Sequence, residues 1–132
     1  MVSGACLAFE NKEVFDDMAQ GRVPLEVCLE KTHMNMVGFK IATMIKVSSP
    51  AEVVVLTMNG SPHCVQLHFA VEQAVKLTGS KLRVRHFVVE RSAVREVDRD
   101  AVRLARHLGN LDMHVQSSKK AAMSKSDGVR KA

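Results

Sequence analysis

Between Glu52 and Glu90 the apolar and polar positions fall into three successive patterns. Val53-Val54-Val55-Leu56 is apolar without a break, as expected of a strand buried on both faces. Asn59-Gly60-Ser61-Pro62-His63-Cys64 then joins turn formers to a helix start, with Ser61 suited to the N-cap and Pro62 to the first helical position. Leu67, Val71, Ala74, Val75 and Thr78 recur at helical spacing and Gly79 stops them. From Leu82 to Val89 the chain alternates. Leu82, Val84, His86 and Val88 share one side, and Arg83, Arg85, Phe87 and Val89 the other. Strand, helix and strand in this order make a βαβ unit, which needs parallel pairing and sets the 59–64 turn at the carboxyl edge of the first strand.

The flanks extend this core. Asn11 to Gln20 can form a short helix burying Val14, Phe15 and Met18, with Gly21 as its stop. Pro24 suits the first turn of a second helix reaching about Lys46, whose stripe is Leu29, His33, Met36, Val37, Ile41, Met44 and Ile45. Phe39 and Val47 make it apolar over most of its circumference, so the 25–47 helix is expected to be central or covered by a partner, a second copy or another protein. Ser92 can cap a last helix with Val94, Val97, Ala101, Leu104, Ala105 and Leu108 inward, and Leu111 to Val115 can add a short strand. The expected fold is α/β: a small parallel sheet on a central βαβ unit, an N-terminal helical pair and a C-terminal helix. Residues 1–115 form one domain (11–47 helical pair, 52–115 βαβα core), and the small, polar, lysine-rich residues 116–132 a flexible basic tail.

Composition narrows the class only modestly. The chain has 132 residues, enough for one modest core, and with five Phe and no Trp or Tyr its interior must be aliphatic and methionine-filled. No apolar run reaches the roughly 18 residues of a membrane span, and the first residues lack a secretory signal pattern. Three cysteines cannot all pair within the chain and none forms a CxxC, which favours a reducing cytoplasm. A net charge of +5 leans toward phosphate-bearing or RNA partners.

Candidate chemistry gathers at the turn. Backbone N–H groups reached through Gly60 and Ser61 offer an anion site at a helix N-terminus. The leading expectation is therefore a non-enzymatic binding or regulatory protein holding an anionic small molecule or nucleotide with Asn59, Gly60, Ser61, His63 and Cys64. The alternative is redox, metal or iron–sulfur chemistry at Cys64, where the helix dipole favours thiolate, with His68 four residues on and Cys28 and Cys6 recruited from afar. A third reading takes Arg95, Arg99, Arg103 and Arg106 as a ridge on the last helix that follows an RNA backbone. His33 and His86 lie on apolar stripes and read as hydrogen-bonded core histidines. No particular cofactor follows from these residues.

Gly60-Ser61, His63, Ala70, Ala74, Gly79, Leu82 and the His86-Phe87-Val88-Val89 segment fall where the opening βαβ unit of the universal stress protein family has similar residues. Residues 53–89 resemble that unit, which implies an α/β fold. Members that bind ATP carry Asp before the Gly-Ser turn, where this chain has Asn59, and a late glycine-rich phosphate motif, where this chain has only Gly109 and Gly128 after residue 90. The resemblance thus supports the architecture and argues against ATP.

Overall fold

In the computed structural model, residues 1–130 are described, with side chains through Lys125. The chain divides into two compact units, Met1–Arg99 and Asp100–Ala132.

The first unit is a five-stranded sheet in which β1 (Val2–Gly4), β2 (Leu25–Val27), β3 (Glu52–Met58) and β4 (Arg83–Glu90) run parallel and β5 (Ala93–Val97) is antiparallel, in the order β2-β1-β3-β4-β5. The βαβ unit stands as read from the sequence: β3, then α4 (Pro62–Thr78), then β4, in register from Glu52↔Arg83 to Met58↔Val89. Val53 to Thr57 are all buried, which explains the unbroken apolar run. From β1 the chain moves outward to β2 by way of α1 (Leu7–Glu10) and α2 (Lys12–Ala19). It then returns across β1 to β3 by way of α3 (Met34–Ser48). That reversal puts the helices on opposite faces, since parallel crossovers keep one hand. Ile41, Ile45, Leu67 and Val71 of α3 and α4 pack on Val2, Val53, Val55 and Val84. Leu7 and Phe15 pack on Val54, Leu56, Phe87 and Val89 from the other side.

Several expectations are corrected. β1 was unread: three residues are too few for a periodicity, yet all three are buried and β1 lies between β2 and β3. The helix expected over 25–46 is instead the edge strand β2, a turn, and α3, which starts where the His33 ring accepts the Asn35 N–H at 3.2 Å. His33 is therefore an exposed cap, not a core histidine. The helix capped by Ser92 is instead a hairpin: Arg91 and Ser92, at φ 48° and 65°, form a two-residue turn into β5. Arg85 of β4 pairs with Glu96 of β5 through two 2.8 Å bonds.

In the second unit, α5 (Arg99–Ala105, starting at the last residue of the first) precedes α6 (Leu108–Arg130). Leu111–Val115, expected as a strand, lie in α6. Residues 116–130, expected as a tail, continue it; their Ala, Lys, Met and Gln favour helix. Residues 131–132 of that expected tail lie outside the described ones. No described helix is long and apolar enough to cross a membrane.

Candidate functional site

Because the chain leaves β1 in one direction and returns to β3 in the other, the sheet has a switch point between the carboxyl ends of β1 and β3, the usual ligand crevice of open α/β sheets. All three cysteines of the sequence arrive there. Cys6 follows β1 and opens α1, Cys28 follows β2 directly, and Cys64 sits in the first turn of α4. They line one crevice of about 50 Å³ together with Gly4, Ser61 and His63. Gly4 is fitted to its neighbour: a Cβ there would stand 3.3 Å from Cys64 Sγ.

The expected ligand turn is built as the sequence implied, but not all of it faces the crevice. Gly60 takes φ 81°, and the Ser61 hydroxyl accepts the Cys64 N–H at 3.2 Å. Pro62 has no N–H to offer, so two of the first donors of α4 are withdrawn from any anion. Asn59 is tied to β4 and its end, its N–H to the Val89 carbonyl at 2.9 Å and its side chain to Glu90 at 3.3 Å.

The thiols sense one another. Burial first, then the neighbouring Cys64 thiol, push the Cys6 thiol above its ordinary range. Its own backbone hydrogen bond opposes this, and Glu10 and Cys28 add smaller upward pushes. Among the described residues, no group of three or more His, Cys, Asp and Glu side chains is arranged to hold a metal ion.

His68 does not join the cysteines, although it lies one helical turn beyond Cys64. It is committed to a buried chain of hydrogen bonds between α4 and the sheet. Thr57 Oγ1 lies 2.7 Å from His68 Nε2, and His68 Nδ1 lies 2.9 Å from His86 Nδ1. His86 Nε2 lies 2.9 Å from Glu72 Oε1, which also accepts Arg99 Nε at 2.6 Å. Thr57, His68, Glu72 and His86 are all buried. With Glu72 ionised, His86 Nε2–H donates to it. The neutral arrangement then runs one way: Thr57 O–H to His68, His68 Nδ1–H to His86, His86 to Glu72. Burial, then the neighbouring His86, bring the His68 pKa down to about 3, so it is neutral at pH 7. Burial pushes the Glu72 carboxyl up, but the hydrogen bonds from Arg99 and His86, with their charges, outweigh this and hold it below its usual range. His86 is thus the hydrogen-bonded core histidine expected from its stripe. The network was not legible as a whole, because Glu72 carried no signal of its own and Arg99 read as part of the arginine ridge.

The arginine ridge dissolves in the same way. Arg95 is on β5, Arg99 is bound to Glu72, Arg103 contacts Asp100 at 3.1 Å, and Arg106 lies between helices. They do not share one helix face.

A family model for the Rossmann-like domain matches residues 1–127. The chain belongs to that family. No curated protein and no solved structure matches it. Membership agrees with the α/β architecture implied by the βαβ resemblance, while the matching family is the Rossmann-like domain and not the universal stress proteins. In a Rossmann-like sheet the crevice outside the carboxyl strand ends is the place to look for a ligand, and here it is lined with thiols.

Proposed function

We propose that this Rossmann-like chain is a thiol-redox module whose switch-point crevice exchanges a Cys6–Cys64 dithiol for a disulfide. The supporting observation is the convergence of the only three cysteines, from three separate strand ends, on one crevice. About 50 Å³ suits the contact of a sulfur and is far below the roughly 300 Å³ of pockets that hold nucleotide-sized ligands. Cys64 raises the Cys6 thiol more than Cys28 does, which favours Cys6 and Cys64 as the pair.

Cys64 is taken as the attacking residue from its place in the first turn of α4, on the crevice wall beside Gly4. Its thiolate attacks one sulfur of a small disulfide, forming a mixed disulfide and releasing one thiolate, which takes a proton from solvent. Cys6 then gives up its proton, for which His63 on the crevice wall offers a ring nitrogen. The Cys6 sulfur attacks the Cys64 sulfur, closing the protein disulfide and releasing the second thiol. Two protein thiols are oxidised and one small disulfide is reduced to two thiols.

Trapping with glutathione disulfide tests this order. Cys6→Ser should accumulate a stable glutathione adduct on Cys64, while the wild type passes through that adduct to an intrachain disulfide. Equal adducts on all three cysteines of the wild type, with no intrachain bond, would refute it.

A further inference from the structure

At the opposite, amino-terminal edge of the same sheet lies a much larger cleft. Its volume is about 710 Å³, within the range of pockets that hold small organic ligands. The starts of β1, β2 and β3 meet the second half of α3 there, and Val2, Leu25, Ile41, Ile45 and Val53 make its walls aliphatic. Ile41, Ile45 and Val53 are buried core residues, so the floor is fixed by the fold.

Arg22 and Glu52 both line it, and Arg83, outside the lining, approaches the same carboxylate. Arg22 Nη2 stands 3.7 Å from Glu52, and Arg83 Nε stands 3.6 Å from it, both beyond hydrogen-bonding range. One carboxylate thus faces two guanidinium groups and fully engages neither. Arg22 is held in place by donating from Nη1 to the Met18 carbonyl at 2.8 Å. An aliphatic slot bordered by an arginine that its carboxylate neighbour does not reach within hydrogen-bonding range complements a molecule with an alkyl chain and one anionic head.

We infer that this cleft binds a medium-chain aliphatic carboxylate, its chain against Ile41, Ile45 and Val53 and its head at Arg22. The site is separate from the cysteines and needs no change in them.

Calorimetric titration of the full chain with hexanoate, octanoate and decanoate, below their micellar concentrations, tests the assignment. Affinity should rise roughly fourfold per added methylene, the factor equivalent to about 0.8 kcal/mol. Arg22→Gln should weaken decanoate at least tenfold and leave decanol unchanged, which also shows that the variant's cleft is intact. Met44→Trp, at a half-exposed wall position, should block both ligands by filling the slot. Decanol binding the wild type as tightly as decanoate would overturn the role of charge. Absence of binding, or binding indifferent to Met44→Trp, would overturn the site. Dimerisation that excludes decanoate would assign the cleft to a second copy and overturn the proposal equally.

Discussion

Acidification from pH 7 to pH 5 should destabilise this protein through His68. In the unfolded chain its imidazole takes a proton near pH 6.5, whereas in the native protein it stays neutral down to about pH 3. Between those values the unfolded state binds the extra proton, so stability falls as pH falls and recovers as pH rises. Integrating that difference from pH 7 to pH 5 gives a loss of about 2 kcal/mol. The groups facing His68 are Thr57 and His86, with Glu72 beyond His86. Glu72, whose native carboxyl is held below its usual range, adds stability that is lost only as pH falls through the carboxylate range, beneath this window. Urea unfolding followed by circular dichroism is the assay, since the chain has no Trp or Tyr for fluorescence. His68→Gln keeps a partner for Thr57 but cannot take the proton. It should be less stable at pH 7 and lose about 2 kcal/mol less than the wild type between pH 7 and pH 5. Parallel pH profiles for the two proteins would refute the buried-neutral assignment.

Other substitutions read other parts of the structure. Ser3 is fully buried and its hydroxyl has no hydrogen-bond partner among the described residues, so Ser3→Ala should stabilise by about 1 kcal/mol in urea unfolding; destabilisation would reveal a partner. Gly60→Ala places a side chain at φ 81° and should cost about 1 kcal/mol, although no described residue lies within 4 Å to clash with it. Gly4→Ala should slow modification of Cys64 by a small thiol reagent, because its new methyl meets that sulfur at 3.3 Å; unchanged kinetics would show that the sulfur simply moves aside. Phe39, on the outer face of α3, is 77% exposed, so Phe39→Glu should change monomer stability by less than about 0.5 kcal/mol. A larger loss, or a fall in mass by light scattering, would show that a partner covers this face.

How far the sequence spoke depends on how much each element owes to its own residues. The β3–α4–β4 unit carries its instructions locally: a doubly buried apolar run, a Ser-Pro start and a glycine at φ 64° as the stop. β1 and β2 have three residues each, and the pairing of β1 with β3 and of β2 with β1 defines them more than any pattern of their own. The Arg91-Ser92 turn lacks the Asn-Gly signature of such hairpins, so the next apolar positions read as one helix face although the first two, Val94 and Val97, are strand. The same limit governs the site. Cys64 could be placed in the first turn of α4, and Cys28 and Cys6 could be named as companions. Their meeting depended on the unread strands β1 and β2. His68 was drawn toward Cys64 by an i, i+4 spacing, but that side chain enters the core, where His86 and Thr57 take both ring nitrogens.

The most direct test of a thiol pair at the switch point is a peptide map of the wild-type protein equilibrated with oxidised and reduced glutathione and then quenched in acid. A single intrachain disulfide joining the Cys6 and Cys64 peptides is expected, with Cys28 recovered as a free thiol. A Cys28-containing disulfide, or three thiols that oxidise independently of one another, would contradict it.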